Sequence, residues 1–435
     1  MDLNSNSIAF LNKLSNSLQL DIQKVHELFK DGTNVDCFFK IEENKIVELN
    51  VRGLAHAKSK LLKESEIIEN VTILDANQID LSDLMDLENL DFSSRAGNDC
   101  GIESYSFKYY PKMKYLIFRF HKTKSIYTSS CKELKYLDCS SNILEKLDAS
   151  QNLQLEHLNC QLNPLTYLNI SANENLIYLL ANSTQLTNEN LEFPLNNCLS
   201  TLHLRNTKFN KFDSLKFPKL TILTISGLNQ DVFDTSLNKD LLKLHITDSS
   251  IKRVNIKESK FLSDFECQGS NFEEISCNEF QACSIPVLSK IFGLKPTPEQ
   301  STVIETLKLH KQAAMHNWDE GLSKLKLILK TKNCDLATAA MIYWMANPSY
   351  YLKYSKVSEV QEHEKEDYRF INKLEKQLLN QEFETNIIDF DPEKIMGVSI
   401  NDNNFVREIP SNLKFKITGK IINEFDYNKQ YTGKL

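Results

Sequence analysis

Glycine and proline are scarce in this chain, with 11 and 10 copies among 435 residues. Neither glycine-rich phosphate-binding pattern, GxGxxG or GxxxxGK(S/T), occurs, so the sequence offers no nucleotide-binding loop. The HExxH and GxSxG signatures are also missing, and with them the sequence evidence for a metallopeptidase or a serine hydrolase. No catalytic residue and no cofactor are therefore assigned.

Long apolar runs and a surplus of positive charge are lacking as well. No stretch approaches the ~20 apolar residues that span a bilayer, and residues 1–6 lack the basic and apolar regions of a secretory signal. Lys and Arg number 51 against 58 Asp and Glu, a net charge of −7, which argues against general binding to phosphate backbones. We expect a cytoplasmic protein with neither a membrane nor a nucleic acid as partner.

The ten cysteines form no zinc-binding pattern. No CxxC pair has a matching second pair, and Cys277 and Cys283 are separated by five residues, so no metal site is predicted. His316 beside Asp319 or Glu320 offers half of a metal site at most, and helix capping is the favoured interpretation.

A 21-residue repeat dominates the middle of the chain. Each unit has apolar residues at its first, fourth and sixth positions, and a second apolar triplet follows ten residues later, as in Leu144, Leu147 and Ala149. Successive starts are 21, 21, 23, 21, 21 and 21 residues apart, at Leu134, Leu155, Leu176, Leu199, Leu220, Leu241 and Leu262. One such unit cannot bury its own apolar side, so stacked units are expected to share a continuous core.

The segments Leu134–Asn142 and Leu155–Asn163 read LxxLxCxxN. The sequence here resembles leucine-rich repeat proteins of the short bacterial kind, specifically across 134–277 and, through divergent units, from about residue 46. The resemblance implies an α/β repeat fold, a solenoid with parallel strands on its concave face. It also implies that Asn142 and Asn163 bond to neighbouring backbone, while Cys139, Cys160 and Cys267 fill inward positions.

The flanks of the repeat are expected to cover its ends. Apolar residues at three- and four-residue spacing over 8–30 predict one or two amphipathic helices, and 37–41 with 45–51 predict a strand pair across the turn 42–44. A membrane-surface helix is the less favoured alternative for 8–30. The predicted domains are a helical N-terminal cap, 1–44, a solenoid, 45–284, and a mainly α-helical C-terminal domain, 285–435.

Helix signals dominate after residue 290. A capping box at Thr297 and Gln300 opens one helix through about residue 310. Asn317 is expected to open a second helix, Asp335 caps a third over 336–345, and a charge-laced fourth covers 358–380. Its carboxylates, such as Glu366, are expected to face cations three or four residues away on the same helix. A short last helix is predicted from 391.

This C-terminal region resembles domain-of-unknown-function family 4274. The resemblance rests on the segments 317–322, 334–344 and 348–351, with Pro392 and the pair Ile409 and Pro410 also fitting. It implies a helical domain without established chemistry, so no functional residues are carried over.

The repeat register assigns the candidate binding residues. Positions two, four and six residues after each unit start are expected on the concave face, where leucine-rich repeat proteins hold partners. The selected residues are Tyr115, Tyr136, His157 and Tyr178 in the first row, Asp138, Asn159, His203 and His245 in the second, and Arg205 in the third.

Tyrosine, arginine and histidine along one face are typical of protein interfaces. We therefore predict a non-catalytic module that binds a protein partner, with an immunity or antitoxin-like role or a scaffolding role. Alternatively, the aromatic rings only stack on each other and fill the curvature. A further alternative is an enzyme or small-ligand site in the C-terminal domain, around Trp318, Asp319, Asp335 and Tyr343, for which the solenoid recruits the substrate.

Overall fold

The computed structural model describes residues 3–18, 22–23, 25, 38–50, 81–93, 104–195, 198–260, 262–314, 316, 318–383, 385–388, 390, 392, 408–417 and 430–433. The chain divides into two compact units. One contains Met1–Val287 together with Lys429–Leu435, and the other contains Leu288–Asn428.

The strands are short, as the repeat requires. In chain order, the first ten are β1 (Phe38–Glu42), β2 (Lys45–Asn50), β3 (Asn89–Asp91), β4 (Ser104–Ser106), β5 (Tyr115–Ile117), β6 (Ser125–Tyr127), β7 (Tyr136–Asp138), β8 (Lys146–Asp148), β9 (His157–Asn159) and β10 (Tyr167–Asn169). The next ten are β11 (Tyr178–Leu180), β12 (Leu191–Glu192), β13 (Thr201–Leu204), β14 (Ile222–Ser226), β15 (Asn229–Asp234), β16 (Lys243–Thr247), β17 (Ser250–Asn255), β18 (Asp264–Glu266), β19 (Asn271–Asn278) and β20 (Gln430–Gly433).

One long sheet takes a strand from each turn of the solenoid. Its order is β1-β2-β3-β5-β7-β9-β11-β13-β14-β16-β18, and every pair from β2 onward is parallel. Smaller sheets, β4-β6, β8-β10-β12 and β15-β17-β19-β20, form on the other side of the repeats, and β20 joins the last of them from outside the repeats. The predicted leucine-rich repeat solenoid is therefore confirmed.

The repeat leucines supply the core of the solenoid. Leu137, Leu158 and Leu179 pair in register on adjacent strands and are fully buried. Complete burial of one such side chain contributes about 1.5–3 kcal/mol. Cys160 is fully buried beside them, and burial raises the pKa of its thiol to about 12, while Cys267 is only half-buried.

Asparagine side chains form hydrogen bonds that connect each turn of the solenoid to the next, as predicted. Asn142 Nδ2 donates to Phe118 O at 2.8 Å and to Cys139 O at 3.0 Å. Asn163 Nδ2 donates to Cys139 O at 3.1 Å and to Cys160 O at 3.0 Å. Because these carbonyls belong to successive turns, each amide satisfies buried backbone and fixes the stacking of the turns.

A second amide ladder was not predicted. Asn152, Asn173 and Asn238 each donate through Nδ2 to two backbone carbonyls. Gln281 continues the pattern, with Nε2 donating to Ile256 O at 2.7 Å and Ser259 O at 2.8 Å. The glutamine side chain is longer than that of asparagine, and it reaches these carbonyls from the helix that directly follows β19.

The N-terminal helix α1 (Ser5–Leu18) is confirmed, and it buries Phe10, Leu11 and Leu14. The remainder of the predicted helical segment, 19–30, lies almost entirely outside the described residues. The predicted strand pair is also confirmed, since β1 and β2 pair antiparallel across Glu43 and Asn44, both at positive φ. These strands belong to the long sheet, so the solenoid sheet begins at residue 38.

Two short helices follow β19, α2 (Glu279–Ser284) and α3 (Pro286–Phe292). Asn278 caps α2 in a capping box with Gln281. The strand β20 pairs antiparallel with β19. Residues 430–433 therefore join the solenoid unit, although the sequence placed them in the helical C-terminal domain.

The second unit contains α4 (Pro298–Ala314), α5 (Ser323–Lys330), α6 (Leu336–Met345) and α7 (Lys365–Leu379). The predicted capping boxes and caps at Thr297 and Asp335 are confirmed. The helix expected at Asn317 is wrong at its start, because Gly321 at φ +72° separates a 3-10 turn from α5. Likewise, 3-10 turns replace the first part of the helix expected over 358–380. The helix predicted from 391 lies outside the described residues, apart from Pro392.

Candidate functional site

The parallel register brings eight of the nine selected residues into two rows on the long sheet, and the ninth, Arg205, directly follows β13. Tyr115, Tyr136, His157 and Tyr178 are direct partners across β5, β7, β9 and β11. In the second row, Asp138 pairs with Asn159. Further along the sheet, His203 pairs with Thr224, and Thr224 pairs with His245 on the next strand. The rows follow from the repeat spacing, since neighbours are 21 residues apart except from β11 to β13, where a 23-residue step still keeps equivalent residues in register.

The first row forms a continuous stack of rings. Centroid distances are 6.2 Å from Tyr115 to Tyr136, 4.4 Å from Tyr136 to His157, and 5.2 Å from His157 to Tyr178. The interplanar angles are 29°, 19° and 30°. The rings of Tyr136 and His157 therefore overlap closely, whereas the wider 6.2 Å separation leaves the ring of Tyr115, which is 48% exposed, open to a partner.

The polar atoms of this stack are not used inside the protein. The hydroxyl groups of Tyr115, Tyr136 and Tyr178 have no hydrogen-bond partner among the described residues, and the same holds for His157 Nδ1. Burial raises the pKa of the Tyr136 phenol and lowers the pKa of the His157 imidazole. Both shifts favour the neutral forms of Tyr136 and His157 at neutral pH, and because His157 Nδ1 is itself buried, the tyrosine hydroxyls are the groups that a partner can reach.

Asp138 and Asn159 lie on the same strands as Tyr136 and His157, two residues further along each strand. Asp138 is 4% exposed and accepts from Ser140 N at 3.0 Å, Ser140 Oγ at 2.6 Å and Asn159 Nδ2 at 3.0 Å. Arg119 Nη1 lies 3.8 Å from its second oxygen. Because both carboxylate oxygens are engaged, Asp138 orients its neighbours rather than presenting a free charge.

The other end of the face carries an ionic network. His245 Nε2 lies 2.9 Å from Asp264 Oδ1, and its Nδ1 lies 2.7 Å from Glu266 Oε2. Arg205 Nη1 is 3.9 Å from the same Glu266 oxygen, and Lys243 Nζ is 3.6 Å from Asp264. The two carboxylates were not selected from the sequence, although the repeat register places them in these same two rows.

His203 lies next to this network, but its side chain carries no charge, unlike the carboxylates and cations of the network. Burial, followed by the charges of Lys243, His245 and Arg205, lowers the pKa of the His203 imidazole to about 4. His203 is therefore neutral at physiological pH. The concave face thus divides into an aromatic half, beside which Asp138 and Arg119 lie, and a half that carries the network of His245, Asp264 and Glu266.

The residues named for the alternative site in the second unit have structural partners. Asp335 is fully buried and accepts from Ala337 N at 2.9 Å and Ile387 N at 2.5 Å. Tyr343 donates to Glu375 at 2.6 Å. Trp318 packs against the hydrophobic core of this unit. These contacts explain the residues by capping and packing, and the side chain of Asp319 is outside the described set.

The described part of the chain contains no group of three His, Cys, Asp or Glu side chains placed to hold a metal ion. Within the same part, no helix combines the length and apolar character needed to cross a membrane.

Comparisons with known proteins follow the division into two units. Residues 305–379 match the family described as Domain of unknown function (DUF4274). No curated protein matches the chain in sequence.

Among solved structures, the functional domain of InlJ from Listeria monocytogenes is 22% identical, with a TM-score of 0.35 over 44% of this chain and 46% of that one. A leucine-rich repeat protein of Leptospira interrogans is 17% identical, with a TM-score of 0.36 over 52% and 54%. The leucine-rich repeat ectodomain of the receptor kinase GASSHO1/SCHENGEN3 from Arabidopsis thaliana is 13% identical, with a TM-score of 0.32 over 61% and 44%.

This chain therefore spans about half the length of the solved structures it resembles. Its repeat fold is established by its own parallel strand pairings. The chain is a leucine-rich-repeat-type solenoid followed by a helical region, of which residues 305–379 match the DUF4274 family.

Proposed function

We propose that this protein is a non-catalytic binding module that holds a protein partner on the concave face of its solenoid. The observation that carries the proposal is the row of three tyrosine hydroxyls, at Tyr115, Tyr136 and Tyr178, which lack internal partners among the described residues. Tyr115 is exposed and Tyr136 and Tyr178 are half-buried, and such hydroxyls are costly to leave unbonded once a partner covers the surface. A partner that supplies acceptors or donors at that spacing restores those bonds.

The stack of aromatic rings favours a protein as the partner over a nucleic acid or a flat sugar. Nucleic-acid bases bind aromatic side chains through open ring faces, and the close contact between Tyr136 and His157 covers one face of each of these two rings. The net charge of −7 also disfavours phosphate backbones. A protein surface, in contrast, carries backbone and amide groups that suit a row of hydroxyls.

Binding would require little rearrangement of this chain. Parallel strands, amide ladders and stacked rings already fix the face, so few side-chain rotamers remain to be immobilised. Tyr136 and Tyr178 supply aromatic edges and hydroxyls at the centre, with His157 between them. At one end, Arg205 and the His245 network supply charged groups that fix how a partner is positioned. Inhibition of a toxin in an immunity-like role and scaffolding in the cytoplasm are the two roles that such a module fits.

A pull-down from native lysate tests the proposal. The full chain is compared with Tyr136→Ala/Tyr178→Ala/Arg205→Ala, and retained proteins are identified by mass spectrometry. The matched control is Tyr127→Ala/Leu153→Ala/Lys252→Ala, since these side chains are exposed and lie outside the long sheet.

A stoichiometric partner that is lost from the concave variant and kept by the control supports the proposal. Retention of the same partner by both variants, or its loss from both while circular dichroism reports intact folds, contradicts the concave face as the binding surface.

A further inference from the structure

The second unit contains a groove between α5 and α7 that is separate from the concave face. Its volume is about 310 Å³, within the range of ordinary ligand-binding clefts. Leu329, Phe370 and Leu374 supply its apolar lining. Phe370 and Leu374 are buried and Leu329 is half-buried, so they form the floor of the groove.

Positive side chains line both sides of this groove. Lys326 and Lys330 stand four residues apart on α5, and Arg369 and Lys373 stand four residues apart on α7. Residues four apart share one face of a helix, so each helix contributes a short cationic row. Glu366 is the single acidic residue in the lining.

Most of this positive charge is not neutralised internally. Lys326 Nζ pairs with Glu366 Oε1 at 2.6 Å across the groove, instead of the same-helix pairing expected for Glu366. Lys330, Arg369 and Lys373 make no ion pair with any described residue. An apolar floor flanked by three unneutralised cations is unusual in a chain whose net charge is −7.

We propose that the α5–α7 groove binds an acidic amphipathic helix of a partner protein. A helix that lies in a groove inserts residues spaced i, i+3, i+4 and i+7 into an apolar floor. Acidic residues on both flanks of that stripe would meet the two cationic rows, Lys326 with Lys330 and Arg369 with Lys373. A single anionic headgroup would instead call for cations gathered at one end.

A synthetic peptide provides the test. An 18-residue helix with a leucine stripe flanked by glutamates, labelled with fluorescein, is titrated with the full-length chain and followed by fluorescence anisotropy. Lys373→Glu is compared with Lys376→Glu, since both residues are exposed on α7 but only Lys373 lines the groove. We expect Lys373→Glu to weaken binding about tenfold, Lys376→Glu to leave it within about twofold, and a glutamine-flanked peptide to bind about tenfold more weakly.

Several outcomes would overturn this assignment. They are no binding of the acidic peptide by the unaltered chain, equal weakening by the two lysine substitutions, and equal affinity for the glutamine-flanked peptide. Sedimentation with phosphatidylglycerol vesicles in place of peptide binding would assign the cations to a lipid surface and also overturn it. Circular dichroism verifies that each variant is folded, and the peptide substitution leaves the protein unchanged.

Discussion

Replacing Asn163 with alanine should destabilise the solenoid far more than its small change in volume implies. Asn163 is 2% exposed and bonds four backbone groups at once, the weakest at 3.3 Å to Gln161 O. Its Nδ2 donates to Cys139 O and Cys160 O, and its Oδ1 accepts from Leu144 N at 2.9 Å. The side chain thus ties together two successive turns.

The expected cost follows from the groups left behind. Cys139 O keeps a hydrogen bond from Asn142 at 3.0 Å, but Leu144 N and Cys160 O would lose the hydrogen bonds that Asn163 provides. A buried backbone group without a partner costs about 1–3 kcal/mol. Two such groups give about 2–6 kcal/mol, a large share of the stability of a natural domain.

Urea unfolding followed by circular dichroism measures this loss, and hydrogen exchange at the amide of Leu144 localises it. Asn175→Ala is the matched control, because Asn175 is exposed and makes one bond, to Leu153 O at 3.2 Å. It should cost about 0.5 kcal/mol. A loss below about 1 kcal/mol for Asn163→Ala, or equal losses for both variants, would refute the ladder reasoning.

Two further predictions concern the second unit. Asp335→Ala removes the cap of α6 and the acceptor of Ile387 N, so thermal denaturation should report a loss of about 2–3 kcal/mol, and an unchanged melting temperature would contradict it. Burial lowers the pKa of His310 from 6.5 to about 4 in the folded state; the unfolded chain therefore binds more protons between these values, and stability falls as the pH drops below about 6.5. From pH 7 to pH 5 this residue should lower the free energy of unfolding by about 2 kcal/mol. The substitution His310→Gln should remove this pH-dependent loss, whereas the control His316→Gln, at a more exposed position, should retain it.

The sequence predicted the solenoid because the repeat leaves little freedom. Fixed 21-residue spacing determines which residues pair across strands, so the row from Tyr115 to Tyr178 follows from the spacing alone. Buried amides such as Asn163 were likewise expected from the repeat. The second ladder was missed, although Asn152 and Asn173 also stand 21 residues apart.

Contacts that depend on side-chain conformation or on distant chain segments could not be predicted. Register places Tyr136 beside His157, but their near-parallel stacking depends on side-chain torsion angles that the repeat does not fix. Glu366 had cations available on its own helix, and its pairing with Lys326 depends on how α5 and α7 pack. The break at Gly321 was hidden because one apolar stripe fits both a continuous and an interrupted helix.

If the proposed function holds, the hydroxyls of Tyr136 and Tyr178 on the concave face bind a protein partner. The most direct measurement is calorimetric titration of the captured partner against Tyr136→Phe/Tyr178→Phe, which keeps both stacked rings and removes only the hydroxyls. The control is Tyr109→Phe/Tyr127→Phe, two exposed tyrosines outside the long sheet. The concave pair should weaken affinity about 5- to 150-fold, since two lost bonds at about 0.5–1.5 kcal/mol each cost about 1–3 kcal/mol, while the control pair should leave the affinity unchanged. Equal affinities for the concave pair and the unaltered chain would contradict the proposed function.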